Sequence, residues 1–402
     1  MVNNDHRIVS LNNVRAILKP LTSPHAALFL DLINSWKNFP LKQNAAAQGK
    51  KRFGAHFPRL VTNKRRLEQL SSTEKLRDIL LDELVDTEKH AEEGLVPFPS
   101  DDDLEADDES AVDLVTNITN PSFVSEGCIP DLPSTTLADL GGFEEEVVHE
   151  VLFELPTTCS VFPCGHLIDL QHQNESVGFF TLATGSIAWI VWPPDVENLN
   201  TMTKAYEDYM EVLDTGEFAD VARDLSGGVA FVQQAGETLH LPPFCPIIGL
   251  VMETAVLVRY AAVTESSFIS MCRNIPLYKA WWNTEICAEE KQACFAKALC
   301  DCITHILQGE FDDINMEALK HPITPKGFLP TFLHVWDDIK EDVVSVMDAN
   351  SAEELKHVWN EFLNSSTTQT CLICGVRCRP DRNHNRSQHF ENKHWTQVTQ
   401  AD

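Results

Sequence analysis

The sequence predicts a mainly β domain that is followed by a helical extension and by a small C-terminal module rich in Cys and His. Short apolar runs broken by Gly, Pro and Asn fill the chain from about Leu132 to Tyr260, a pattern typical of β-strands joined by turns. Helical spacing of apolar residues begins after Ile275. Ligand-type residues crowd together only between Thr370 and Trp395. The part of the chain before the β domain is expected to be largely disordered or helical.

These patterns divide the chain into five segments. They are an N-terminal arm over 1–80, an acidic disordered linker over 81–130, the β domain over 131–270, the helical extension over 271–366 and the terminal module over 367–402. Within the extension, Ser351 followed three residues later by Glu354 predicts the start of a helix, because the two side chains form a capping box.

Composition excludes several classes of protein. The chain has 402 residues and a formal net charge of −29, so it cannot coat nucleic acid along its whole surface. The N-terminus lacks an apolar stretch behind a basic start, and we therefore expect an intracellular protein. Its 12 cysteines are then expected to be free thiols and metal ligands. The uncharged stretch Ser176–Pro194 is interrupted by Gly, Ser, Thr and Pro, which predicts strands and no membrane span.

The arm carries a strongly basic stretch. Between Lys42 and Arg66 there are eight basic residues and no acidic one. Eleven residues separate two clusters, which are Lys50, Lys51 and Arg52, and Lys64, Arg65 and Arg66. This spacing resembles a bipartite nuclear import signal and predicts a nuclear protein. A solvated helix face and a nonspecific contact with a polyanion remain alternatives.

An acidic tract follows the arm. Asp101 to Glu109 holds seven acids in nine positions, and Pro97 and Pro99 precede it. Such a composition repels itself and buries little apolar surface, so it predicts a disordered linker.

Two segments of the β domain share a pattern with a known family. They are GHLIDLQHQNESVGFFTLATGSIAWIVWPP and AGETLHLPPFCPIIGLVMETAVLV. Their order and spacing resemble the jumonji-C family, cupin-type β-barrels that bind iron(II) and 2-oxoglutarate and hydroxylate or demethylate proteins. The frame is carried by Gly185, Trp189, Pro193, Pro194, Gly236, Glu237, Pro242 and Pro243. The resemblance covers roughly a third of the chain and implies a jelly-roll or cupin barrel.

The resemblance also shows where the chain departs from the family. The family binds iron through two His and one carboxylate. Asp169 falls on the carboxylate position, Leu167 and Ile247 fall on the two histidines, and Ile187 replaces the lysine that holds the keto acid. We therefore expect a degenerate, inactive barrel that binds neither iron(II) nor 2-oxoglutarate.

An unconventional ligand set is the alternative for the barrel. A bulge at His166 would align it with Asp169, and His172 or His240 would supply the second imidazole. The chain would then be an active dioxygenase that acts on a histone or another protein.

The terminal module has the spacing of a metal site. Cys371-x2-Cys374 is followed, after fourteen residues, by His389-x4-His394. Zinc prefers four N or S ligands in a tetrahedron, and a Cys-x2-Cys turn with two imidazoles about a helical turn apart supplies them. The module resembles the two-Cys, two-His zinc-finger class, with Cys378 and His384 as competing ligands. Its surplus of basic residues suits phosphate contact, but one finger reads only about three base pairs, and protein contact is an equal alternative.

Together these patterns predict a nuclear, chromatin-associated or protein-binding module with zinc as its cofactor. The expected partners are chromatin or nuclear proteins, with a possible local DNA contact through the finger. The active dioxygenase and a transcription regulator that acts through the finger alone are the alternatives.

Overall fold

The structure is a computed structural model. It describes residues 11–21, 24–35, 53, 58–62, 73–92, 108–125, 127–134, 136–137, 151–154, 157–172, 177–209, 218–284, 288–308, 328–366, 370–378 and 386–396. The chain forms two compact units. Unit 1 comprises residues 1–205 and 214–267, and unit 2 comprises 206–213 and 268–402.

Nine strands lie within the described part of unit 1. They are β1 (Arg59–Thr62), β2 (Ile129–Pro133), β3 (Val151–Glu154), β4 (Thr158–Phe162), β5 (Leu167–His172), β6 (Val177–Val191), β7 (Val229–Gln234), β8 (Glu237–Leu241) and β9 (Pro246–Thr264). The helices that begin in this unit are α1 (Leu11–Leu18), α2 (Pro24–Ser35), α3 (Thr73–Glu92), α4 (Asp108–Thr116), α5 (Val196–Tyr209), α6 (Phe218–Val221) and α7 (Glu265–Arg273).

The long antiparallel pair β6–β9 is the centre of the sheet. Its pairing runs from Val177 opposite Ala262 to Val191 opposite Ile247. In one half of the pair, β8 lies beside β6 and is followed by β1. In the same half, β3 and β4 lie beside β9, and β2 pairs with β4. The other half is extended by β7 beside β6 and by β5 beside β9. The strand order β1-β8-β6-β9-β4-β2 ends at two edges, so the sheet is not a closed barrel.

The register of β6 against β9 shifts between Leu182 and Ile187. Gly185 lies in this stretch with φ +79°, a conformation that glycine adopts without the penalty of a side chain. A Cβ at Gly185 would lie 2.3 Å from the carbonyl oxygen of Thr254 on β9. The glycine therefore permits both the left-handed backbone and the close approach of the two strands.

Side-chain alternation along β9 separates two apolar clusters. Ala255 and Leu257 belong to an inner cluster, while Val256 and Val258 belong to an outer cluster. The inner cluster consists of buried residues of the sheet together with one residue of the arm: Phe53, Phe162, Ile168, Phe180, Leu182, Ile187, Trp189, Val191, Phe231, Leu239, Leu241, Cys245, Ile247, Val251, Ala255 and Leu257. The outer cluster packs residues of β2, β4 and β9 against α3 and α4.

Unit 2 is helical in its described part. It contains α8 (Ile275–Trp282), α9 (Ala288–Gln308), α10 (Phe328–Ser345), α11 (Ala349–Ser365) and α12 (Arg386–Lys393). Its core is aromatic, with the rings of Trp336 and Trp359 4.5 Å apart. The helical extension is present as predicted, but α11 begins earlier than the Ser351–Glu354 pair indicated. Asp348 is its N-cap residue, and its carboxylate accepts a hydrogen bond of 2.6 Å from the Ser351 amide.

The prediction of a mainly β fold is corrected by the structure. In the described part of the chain, helices hold more residues than strands. The region expected to be an acidic linker includes the end of α3, the whole of α4 and the start of β2, whereas residues 101–107 lie outside the described residues. The N-terminal part contains helices, as expected, but also β1. No helix of the described residues is both long and apolar enough to cross a membrane.

Candidate metal centre

A tight turn presents the two cysteines of the terminal module. The Gly375 amide donates to the Cys371 carbonyl over 2.9 Å, and the Cys371 amide donates to the Val376 carbonyl over 2.8 Å. Gly375 has φ +72°, which suits glycine at this turn. A bridge between Thr370 and Arg377 closes the turn. The backbone thus places Cys371 and Cys374 close together.

Helix α12 supplies the two histidines. His389 lies on the helix, and His394 follows its last residue, with the His394 amide donating to the Phe390 carbonyl over 2.7 Å. The imidazole Nε2 atoms of His389 and His394 are 3.2 Å apart. Cys374 Sγ lies 3.2 Å from His389 Nε2, and Cys371 Sγ lies 3.5 Å from His394 Nε2.

These separations match the edges of a zinc tetrahedron. Zn–S bonds of about 2.3 Å and Zn–N bonds of about 2.0 Å at tetrahedral angles imply S···N distances of roughly 3.5 Å and N···N distances of roughly 3.3 Å. All four donor atoms lie within 4.8 Å of one another. The cluster of Cys371, Cys374, His389 and His394, which the spacing predicted, could therefore bind a metal such as zinc.

Burial opposes charge on one of the two thiols. Burial raises the pKa of Cys371 to about 11, because a buried thiolate loses its hydration. A divalent metal would compensate the charge of the thiolate, and binding would release protons from the thiols.

His394 and the end of α12 are held by three residues of α10 that the sequence did not indicate. Nδ1 of His394 lies 2.9 Å from each carboxylate oxygen of Asp337 on α10. Lys340 donates to Asp337 over 2.9 Å and to the Lys393 carbonyl over 2.8 Å. The Trp336 indole donates to the His394 carbonyl over 2.7 Å. Burial alone would raise the pKa of Asp337, but the hydrogen bonds from His394 and Lys340 lower it overall.

Aromatic packing joins α12 to the other helices of unit 2. Phe390 is fully buried, with its ring 5.4 Å from that of Trp359 and 5.7 Å from that of Trp395. Phe390 lies between His389 and His394 in the sequence, so this packing holds the histidine pair against the helices of unit 2. Helices α11 and α12 are neighbours in the same unit.

The competing ligands do not join the cluster in the described part of the chain. Cys378 is buried, and its Sγ lies 3.7 Å from the Val376 carbonyl oxygen. It does not belong to the group of four donors. His384 lies outside the described residues.

Of the residues aligned with the jumonji-C iron and keto-acid positions, Ile187 and Ile247 belong to the inner cluster, and Leu167 and Asp169 do not. Ile187 and Ile247 are 0% and 3% exposed and belong to the inner cluster, together with Ile168 of β5. Asp169, the next residue along, is exposed, and its carboxylate accepts a hydrogen bond of 2.7 Å from the Leu170 amide. Leu167 is half-buried. Neighbouring residues of a strand point to opposite faces of the sheet. Since Ile168 points into the inner cluster, Leu167 and Asp169 on either side of it point away from that cluster.

The histidines of the alternative ligand set are also dispersed. His166 stacks on Phe162, and burial lowers its pKa to about 4. His172 stacks on Phe244, with burial lowering its pKa to about 3, and the ring of His240 packs against Phe179. The bulge in β5 lies between Ile168 and Gln171 and not at His166. Within the described ranges, the terminal Cys and His cluster is the only group of three or more such donors close enough to hold a metal ion.

The two basic clusters of the arm lie outside the part of the chain that the structure describes. Lys50, Lys51, Arg52, Lys64, Arg65 and Arg66 all lie outside the described residues. Part of the stretch between the two clusters is described. Phe53 is buried in the inner cluster, and Arg59–Thr62 forms β1. Part of the expected arm is therefore built into the sheet.

The chain was compared with protein families, with curated proteins and with solved structures, and only the solved structures gave matches. No protein-family model matches the chain, and no curated protein matches it. Among solved structures, the chain is similar to the vicilin from Solanum melongena, whose crystal structure revealed different anionic ligands in structurally similar pockets. The identity is 11%, the TM-score is 0.19, and the match covers 28% of this chain and 24% of the vicilin chain. A likeness of this size supports no argument about fold or function.

Proposed function

We propose that this chain is a non-catalytic, protein-binding module in which a zinc ion stabilises the terminal finger. The observation that carries the proposal is the donor set of Cys371, Cys374, His389 and His394, all within 4.8 Å of one another. Two thiols and two imidazoles at tetrahedral separations suit zinc, which needs no open coordination position when its role is structural.

Contacts of the finger favour protein binding over DNA reading. The guanidinium of Arg386 donates to the carbonyl oxygens of Leu363 and Ser366 at the end of α11. Glu391 lies 3.9 Å from the ammonium of Lys356, and Phe390 packs against the core. One basic residue of the finger is thus engaged within the chain, and an acidic residue lies on the exposed side of α12. This arrangement weakens the alternative of a transcription regulator that reads DNA through the finger.

Unit 1, in this proposal, is a jumonji-C-like, cupin-type sheet without iron chemistry. Its support is the sequence frame around Gly185 and the apolar packing of Ile187 and Ile247 in the inner cluster. An iron site would need an imidazole at the position of Ile247. The dianionic keto acid would need a cation at the position of Ile187, because its charge is costly to bury without one. The sheet then serves as a scaffold, and the expected partners are chromatin or nuclear proteins.

Metal analysis of the purified full-length protein tests this function. We expect about one zinc and no iron per chain, since the four donors fill a zinc tetrahedron. Cys371→Ser should abolish zinc uptake, and the matched change Cys378→Ser should leave it intact. Zinc loss in Cys378→Ser would contradict the ligand set. Stoichiometric iron would instead support the dioxygenase alternative, and a chain that takes up neither metal would overturn the proposal.

A further inference from the structure

One ligand of the terminal cluster is held from outside the finger. The side chain of His394 is 3% exposed, and its two ring nitrogens face different partners. Nε2 faces the other donors, 3.5 Å from Cys371 Sγ and 3.2 Å from His389 Nε2. Nδ1 faces the carboxylate of Asp337, at 2.9 Å from both oxygens. The ring is therefore fixed between the donor cluster and α10.

This geometry determines how His394 can bind a metal. A neutral imidazole carries its proton on one nitrogen and offers the lone pair of the other. A carboxylate beside Nδ1 accepts that proton in a hydrogen bond, which leaves Nε2 as the ligand atom. The bond also orients the ring plane, so that less conformational freedom is lost when the metal binds.

Helix α10 holds the end of α12 through three side chains. Trp336 donates to the His394 carbonyl, Lys340 donates to the Lys393 carbonyl, and Asp337 binds the His394 ring. Lys340 also contacts Asp337 and so holds the carboxylate in place. The three residues lie within about one turn of α10, on the face that meets the ligand helix.

We propose that Asp337 is a positioning residue of the zinc centre and couples metal binding to the stability of the helical unit. The inference rests on the proposed zinc site and deepens it. Zinc binding tightens the Asp337–His394 contact, and α10 in turn presents His394 as an Nε2 ligand. By this coupling the finger and the helices gain stability together when zinc is present.

The test compares Asp337→Asn with the matched variant Asp338→Asn in the full-length protein. Asp338 is an exposed carboxylate on the same helix, so its change removes the same charge without the His394 contact. Zinc affinity is measured by competition with a chromophoric chelator. We expect Asp337→Asn to weaken it about 10- to 100-fold, as for other partners of metal-bound histidines, and Asp338→Asn to leave it unchanged. Equal affinities in the two variants would overturn the inference.

Two further measurements separate positioning from a general loss of structure. The absorption spectrum of the Co²⁺-loaded protein should change in Asp337→Asn and not in Asp338→Asn, because it reports ligand geometry. Asp337→Glu, which keeps a carboxylate, should recover part of the lost affinity. An unchanged Co²⁺ spectrum, or no recovery, would contradict the proposal. A wild-type chain that binds no zinc would instead refute the proposed function, so the two failures are distinguishable.

Discussion

Gly185 lies where the register of the central strand pair shifts and where the backbone of β9 approaches its Cα closely. Its φ of +79° and the 2.3 Å separation between a built Cβ and the Thr254 oxygen predict that Gly185→Ala is strongly destabilising. The left-handed conformation alone costs an L-residue about 1–2 kcal/mol, and the clash with backbone adds to it. The free energy of unfolding, measured in urea, should fall by more than that amount.

Gly165 provides the matched control for this prediction. It also has a positive φ, +87°, but a Cβ there would meet no described atom within 4 Å. Gly165→Ala should therefore show only the conformational penalty, about 1–2 kcal/mol. Equal losses in the two variants would mean that the approach of Thr254 contributes nothing.

Some residues of the candidate site can be predicted from the sequence, and others cannot. Spacing alone indicated the four residues of the candidate metal centre, because a Cys-x2-Cys turn and a His pair on a helix are local patterns. Asp337 could not be found in this way, since 57 residues separate it from His394 and only tertiary packing brings them together. The face on which each residue of β5 lies is also hard to predict, because a shift of one residue along a strand reverses the face to which a side chain points.

Helix α4 shows how local charge can conceal a packed element. Its residues Ala111, Leu114 and Val115, with Ile118 just beyond, have the i, i+3, i+4, i+7 spacing of a buried helix face. The acidic tract that runs into the helix at Asp108 and Glu109 led to the interpretation of a disordered linker. Strand β1 was missed likewise, because basic clusters flank it on both sides.

The packing of α4 can be tested with two apolar residues of the same helix. Leu114 is 0% exposed in the outer cluster, whereas Val112 is 49% exposed. Leu114→Ala should lower the free energy of unfolding by about 2–5 kcal/mol, because it removes buried methyl groups and leaves a cavity. Val112→Ala should change it by less than about 0.5 kcal/mol. Chemical denaturation of both variants measures these changes. If Leu114→Ala lowered the free energy of unfolding as little as Val112→Ala, α4 would be an unpacked part of a linker.

At the scale of the whole molecule, the two units are stabilised in different ways. Unit 1 buries apolar residues on both faces of its sheet, in the inner and outer clusters. Unit 2 combines an aromatic helical core with a cluster of two Cys and two His residues, whose His394 is hydrogen-bonded to α10. The strand and helix regions could be predicted because their periodicity is local. The open sheet in place of the predicted barrel could not, since closure depends on edge pairing between strands distant in sequence.

Nuclear import is the property of the whole chain that the sequence predicts and a single experiment can test. The two basic clusters flank β1, whose backbone pairs with β8 from Arg59 opposite His240 to Thr62 opposite Glu237. This pairing holds residues 59–62, which lie between the two basic clusters, in the sheet. An import receptor must therefore bind one cluster on each side of β1. Replacement of Lys64, Arg65 and Arg66 by Ala should therefore spread a fluorescently tagged chain through the cytoplasm.

The control for import is Arg59→Ala, which removes a positive charge from the spacer but leaves both clusters intact. It should preserve nuclear accumulation if the receptor reads the clusters themselves. If import depended only on the total positive charge of the region, graded loss with each removed charge would be seen instead. Undiminished accumulation after the triple replacement would show that Lys64, Arg65 and Arg66 serve another purpose, with a contact to the acidic tract as the next candidate, since the two segments carry opposite charge.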